Sequence, residues 1–340
     1  MNKATRNSFL LFVAACIWGL AFVFQSKGME YMDPFTFNGA RALIGAFSLL
    51  IFVLIRDRFT QRKLKDLDWK LTITAGICCG LALTIASTVQ QFGIVYTSVG
   101  KAGFITTLYI IFVPIAGILF GKKVPWIVWV AAAMAAVGMY FLCVNESFSI
   151  NLGDILVFIC AVFFTAHIMI VDYFSPKTDG VVISLIQFTV CGVLYMICAF
   201  IWGNPAWSQV TSGISTLLYA GVMSCGVAYT LQIVGQNGVN PTVAALLTSL
   251  ESVVATITGV IAFKIGFLKV DQTMTGQQIA GCVIVFMAVI LVQLPKEWFE
   301  KKKICFRPNH EETKLNLIFC CYKSRNQIDF LHLVSKMQLV

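Results

Sequence analysis

The stretch Gly100–Phe120 reads GKAGFITTLYIIFVPIAGILF. As a helix it is long enough to cross a bilayer, and its one charge, Lys101, stands at an end. The chain writes the same pattern a second time in Thr242–Ala262, TVAALLTSLESVVATITGVIA. Leu108 aligns with Leu250, Ala102 with Ala244 and Gly117 with Gly259, each pair 142 positions apart. The same offset pairs Thr88 with Thr230, Gln90 with Gln232 and Gly93 with Gly235. A duplicated hydrophobic block of this kind points to a transporter built from two related halves.

The copies differ in chemistry. Tyr109 in the first becomes Glu251 in the second, and Pro114 becomes Thr256. One span thus carries an aromatic hydroxyl and a proline, the other a carboxylate near the middle of the bilayer.

Composition sets the solvent. The 340-residue chain is 58% hydrophobic and only 12% charged, too apolar to cover itself in water and well suited to lipid. The net charge of +9 does not indicate nucleic acid, because the basic residues fall in short loops and the tail. Nine of the twelve cysteines lie within apolar runs, where cysteine behaves as a small hydrophobe, and no CxxC occurs. Val13-Ala14-Ala15-Cys16 has the look of a lipoprotein box. The apolar run before it is too short for a signal region and the hydrophobicity continues to Phe24, so an uncleaved first span is expected.

Ten spans fit the bilayer thickness: Ser8–Phe24, Pro34–Ile55, Leu71–Val95, Gly100–Phe120, Pro125–Cys143, Gly153–Tyr173, Val181–Trp202, Thr216–Val234, Thr242–Ala262 and Gln277–Leu294. The basic loop Arg56–Lys70, Lys122 and Lys123, and Lys296 with Lys301–Lys303 all fall on one side, which the positive-inside rule makes cytoplasmic. Lys264 and Lys269 go against that bias, since they fall in a loop expected outside. The fold expected is an all-α membrane protein of ten transmembrane helices. Five spans per half is an odd number, so the second half enters the membrane inverted, with a substrate site near the midplane. The halves are residues 1–145 and 146–295, followed by a cytoplasmic tail, 296–340. An offset of 146 relates the early spans, pairing Arg41 with Gln187 and Trp18 with Phe164. In the tail His310, Cys320, Cys321 and His332 match no zinc spacing, so no metal site and no cofactor are expected.

Glu251 is the sharpest signal, because a carboxylate within a span is costly and usually faces a bundle interior or a wet cavity. Thr248, Ala255 and Thr258 share its helical face. It reads as a substrate contact or proton-coupling site, or as a carboxylate bonded to backbone or paired with Arg41. Arg41 reads as an anion-binding residue, or as one that snorkels or pairs with Asp33. Lys101 reads as an attractor for a carboxylate or phosphate at the cavity mouth, or as an interfacial anchor. His167 is a proton relay or a donor to a neighbouring helix. Tyr109, Trp18, Gln90, Gln91, Tyr229 and Gln232 offer hydrogen bonds and aromatic faces to a central site or to helix packing. Pro114 should bend the fourth span, and Gly76, Gly80, Gly93 and Gly221 should let helices approach closely. No Walker A motif, channel filter, Ser-His-Asp set or HExxH appears, so neither ATP hydrolysis nor enzyme chemistry is expected.

The segments AACIWGLAFVF at Ala14–Phe24, FTFNGARALIGAF at Phe35–Phe47, GKAGFITTLYIIFVPIAGILFGKK at Gly100–Lys123 and ALLTSLESVVATITGVIAF at Ala245–Phe263 carry a resemblance. Their order and duplication are similar to the drug/metabolite transporter superfamily, EamA type, over Asn7–Leu294. The resemblance implies ten helices with both termini cytoplasmic, a cavity lined by both repeats, alternating access, and often export of amino acids or related metabolites. It places Arg41, Lys101, Tyr109, Pro114 and Glu251 at family-typical positions. Ser252 stands where a proline often follows that glutamate, so the ninth span is expected to be straighter than usual.

The function expected is a secondary active transporter in the cell membrane, the bacterial inner or plasma membrane. It would export a small polar metabolite, with the proton as a candidate coupling ion. A non-transporting scaffold or sensor, and an uptake permease, are the alternatives.

Overall fold

A computed structural model describes residues 3–59, 64–121, 124–143, 151–269 and 275–293. Lys122 and Lys123, Lys296, Lys301–Lys303 and the histidines and cysteines of the tail lie outside the described residues.

The described residues are helical apart from their connections. In order they form α1 (Lys3–Gly28), α2 (Pro34–Phe59), α3 (Trp69–Tyr96), α4 (Val99–Thr106), α5 (Tyr109–Leu119), α6 (Trp126–Cys143), α7 (Leu152–Phe174) and α8 (Gly180–Trp202). The short α9 (Trp207–Ser212) follows, then α10 (Ile214–Leu218), a π-helical segment (Tyr219–Ala228) and α11 (Tyr229–Gln236). Last come α12 (Pro241–Thr248), α13 (Leu250–Lys264) and α14 (Gly276–Gln293). Only closed hydrogen-bonding patterns survive in hydrocarbon, and apolar sequence of this length satisfies its own backbone as helix. Among the described residues, eight segments are long and apolar enough to cross a membrane; of these, α4 with α5, α10 through α11, and α12 with α13 each make one span. The expected fifth and tenth spans, α6 and α14, carry shorter apolar runs, Trp126–Gly138 and Ile279–Ala288. Large apolar side chains such as Phe47, Phe200 and Trp202 face outward. That is unfavourable in water and suits lipid.

The duplication reappears as paired contacts. A β-carbon on Gly93 would stand 2.5 Å from Val157 Cγ2 and 2.9 Å from the Gly153 carbonyl. One on its mate Gly235 would stand 3.0 Å from Leu11 Cγ and 3.1 Å from the Asn7 carbonyl. Leu11 and Asn7 are themselves the mates of Val157 and Gly153 at the offset of 146. So α3 meets α7 as the span ending in α11 meets α1, with glycine at each crossing. Gly76, Gly80 and Gly221 likewise sit against Ile186, Val190 and Ile44. Helix starts are matched too: Asp33 caps α2 as Asp179 caps α8, and Ser98 caps α4 as Asn240 caps α12.

Equivalent spans also touch each other. α2 packs on α8, α6 on α14, α4 on α13 and α5 on α12. First half against second half, in both directions, is how two equivalent broken spans cross antiparallel.

Two spans are interrupted here. The fourth span is interrupted at Thr107–Leu108, six residues before Pro114, and α5 runs through the proline. The ninth span breaks at Ser249, the mate of Thr107, without any proline. Hydroxyls explain both. Thr107 Oγ1 donates to the Phe104 carbonyl, Ser249 Oγ to Leu246 and Ser252 Oγ to Ser249, each three residues back. The backbone tightens to the same spacing, with Ile110 N donating to Thr107 O and Ser252 N to Ser249 O. Back-bonding hydroxyls thus supply the partners that let a helix change pitch in an apolar setting.

Each end of the bundle carries its own polar ties. At one end Lys269 lies 3.4 Å from Glu30, which also pairs with Lys27. The awkward lysine of the α13–α14 connection therefore shares an end with the α1–α2 connection. Partial burial works against ionisation at Glu30, but the two ammonium groups outweigh it and hold the carboxyl below the usual carboxylate range. At the other end Asn7 Nδ2 donates to the Asn237 carbonyl, Asn237 Nδ2 to Ser175, and Arg56 pairs with Asp179 at 3.0 Å.

Candidate functional site

The two broken spans cross at their breaks, and there the repeat mates Tyr109 and Glu251 meet. The Tyr109 hydroxyl stands 2.9 Å from Glu251 Oε1 and 3.0 Å from Thr248 Oγ1. Thr248 Oγ1 in turn reaches the Ala244 carbonyl at 3.0 Å. All three side chains are buried. The pitch change places Tyr109 and Glu251 at the first turns of α5 and α13, so both point inward from the crossing.

They border a cavity whose empty space, its open mouth included, is about 480 Å³. α1 contributes Trp18, Phe22 and Gln25; α2 contributes Arg41; α3, Gln90; α7, Phe164 and Ile168. Thr106, Ser224, Tyr229, Gln232 and Thr248 complete the wall. Both halves therefore line it. Apolar rings dominate one part, with the Trp18 indole set edge-on to Tyr229 at 4.7 Å. Hydroxyls and amides fill the rest.

Of the residues singled out in the sequence, Glu251, Tyr109, Arg41, Trp18, Gln90, Gln232, Tyr229 and Thr248 come together on this wall. The repeat mates Gln90 and Gln232 differ in role. Gln90 Nε2 donates to Thr106 Oγ1 at 3.0 Å, tying α3 to α4, whereas Gln232 Oε1 is buried without a partner among the described residues. Arg41 pairs with neither Glu251 nor Asp33. Glu251 is taken by Tyr109, and Asp33 is spent on the first turn of α2 and the Thr36 hydroxyl. The guanidinium lies 5.4 Å from the Phe37 ring.

Four sequence candidates stand off the wall, Gln91 among them, its Nε2 donating to the Gln25 carbonyl at 3.5 Å. His167 is fully buried behind Tyr229, with Nε2 2.8 Å from Gln187 Oε1 and its ring edge-on to the tyrosine. Lys101 binds Asp154 at 2.5 Å, where Thr97 Oγ1 and the Asn151 N–H also donate to the carboxylate. Pro114 lies within α5. Sequence reading passed over Gln25, Thr106 and Ser224. Ser224 belongs to the π-helical segment, whose wider turn alters which residues face inward, and no sequence period announces that.

Comparison with known proteins gives the family and the fold. The EamA-like transporter family matches residues 6–144 and again 151–294. An uncharacterized transporter of Archaeoglobus fulgidus is 30% identical over 285 residues, 84% of either chain. The uncharacterized transporter YwfM of Bacillus subtilis is 25% identical over 76% of this chain and 86% of its own. A solved crystal structure superposes with a TM-score of 0.66 at 18% identity, covering 87% of this chain and 99% of the other, a likeness of fold.

Proposed function

This chain belongs to the EamA-like transporter family, and from that premise we propose that it is a secondary transporter of a small polar metabolite. It works by alternating access and in the direction of export. The two halves, residues 1–145 and 146–295, rock about the crossing of the broken spans. Both termini face the cytoplasm of a bacterial plasma membrane, the reading the lysine and arginine bias favours.

The observation that carries the proposal is the contact of Tyr109 with Glu251 on the cavity wall. Repeat mates that touch lie beside the axis relating the halves, where any rocking motion is felt by both. The same contact supports proton coupling. With Glu251 ionised, the tyrosine hydroxyl donates to the carboxylate. With Glu251 protonated, the carboxyl donates to Tyr109, Tyr109 to Thr248, and Thr248 to the Ala244 carbonyl. Every hydroxyl keeps a partner in either state, so a proton is taken up by turning hydrogens rather than by breaking a buried network.

The test is flux in proteoliposomes, offered a pool of amino acids, nucleosides and organic acids with and without an imposed pH gradient. Saturable flux that responds to the gradient is expected. Flux indifferent to the gradient removes the coupling, and no flux from folded, inserted protein removes the transport reading for this pool.

A further inference from the structure

Arg41 is 6% exposed and lines the cavity, yet among the described residues no carboxylate pairs with it. A buried charge without a counter-charge is costly, and in a span such residues mark ligand pathways. The groups within its electrostatic reach, Cys191, Tyr195, Cys225 and Tyr229, are thiols and phenols, uncharged at neutral pH by their ordinary values. Asp33 and Glu251, the acids that the sequence offered as partners, are engaged elsewhere. Nearby on the wall Trp18 adds an indole N–H that is buried and unpartnered.

We propose that Arg41 anchors a carboxylate of the transported molecule, so that the substrate class of this cavity is small carboxylates with an apolar body. The inference rests on the transport reading above and specifies its substrate. A carboxylate offers about four acceptor sites and no donor, which is what a guanidinium and an indole N–H require. The Trp18, Phe22, Phe164 and Tyr229 rings receive the apolar remainder.

Matched acid and amide pairs test it: L-leucine against L-leucinamide, and 3-methylbutanoate against 3-methylbutanamide. The full chain is titrated with each, reading ligand-induced thermal stabilisation, and uptake of the labelled acids into vesicles is measured alongside. The acids should act at about ten-fold or more lower concentration than the amides, the scale of a charged hydrogen bond. Arg41→Gln should remove the preference. Arg41→Lys should keep part of it, since charge remains and the fork is lost, and it serves if Arg41→Gln does not fold. Equal response to acid and amide, no response to any acid, or a preference that survives Arg41→Gln overturns the assignment. Flux of a pooled solute lacking a carboxylate would sink the anchor and leave transport standing; acid binding without any flux would do the reverse.

Discussion

Tyr109 and Glu251 hold equivalent places in the two halves of the chain, and their side chains bond to each other at 2.9 Å. Divergence at this one pair of positions gives the crossing a donor on one side and a carboxylate on the other, where identical residues would offer two donors or two charges. Glu251→Gln keeps shape and removes the titration. Flux driven by a pH gradient should fall at least about ten-fold, equivalent to losing ~1.4 kcal/mol of coupling, with folded yield unchanged. Full gradient-driven flux in this variant would exclude Glu251 as the coupling group.

Tyr109→Phe deletes the hydroxyl between two buried acceptors. A loss of about 1–3 kcal/mol in stability is expected, the cost of leaving a buried polar group unmet. Thermal unfolding of the purified variant measures it, and an unchanged midpoint would mean that Thr248 and Glu251 find other partners.

Packing at the matched glycine crossings sets a ranking. Gly93→Leu and Gly235→Leu both overfill a helix crossing, at a cost of about 1–3 kcal/mol or more. Gly93 should be worse, because its β-carbon would stand 2.5 Å from Val157, against 3.0 Å from Leu11 at Gly235. Equal melting temperatures would contradict the asymmetry.

His167 touches Gln187 and the Tyr229 ring rather than the cavity. His167→Ala should therefore cost stability, about 2 kcal/mol or more for a buried cavity with a lost hydrogen bond. The pH profile of transport should keep its shape in that variant. A shifted profile would restore the relay reading of this histidine.

The Glu30 pair with Lys27 and Lys269 is an exposed-end contribution, at most ~1 kcal/mol and weakened by salt. Its carboxyl is held below the ordinary value of 4.5, so the stabilisation is fully present above pH 4.5 and is lost as pH falls through the lowered value. The difference in melting temperature between wild type and Glu30→Gln should vanish in acid and in 1 M salt. A gap that persists in both would point to packing instead.

Composition and the duplicated pattern were enough to determine a helical membrane protein in two related halves. Apolar length dictates spans, and a repeat of 142 residues is visible without any coordinates. Glu251, Tyr109 and Arg41 were legible as well, because polar groups inside apolar runs are expensive wherever they end up. What the linear pattern did not contain is which of them meet. Arg41 and Glu251 suited an ion pair on charge alone, yet the crossing of the spans hands Glu251 to Tyr109 and leaves Arg41 facing the cavity. Pro114 announced itself by local chemistry, whereas nothing in the pattern announced the breaks at Thr107 and Ser249. Hydroxyl back-bonds form there at an interior crossing that only the packed bundle creates. Helix formation is local and period-bound, so sequence carries it. Partner choice between helices depends on rotation and crossing, which packing of the whole bundle decides.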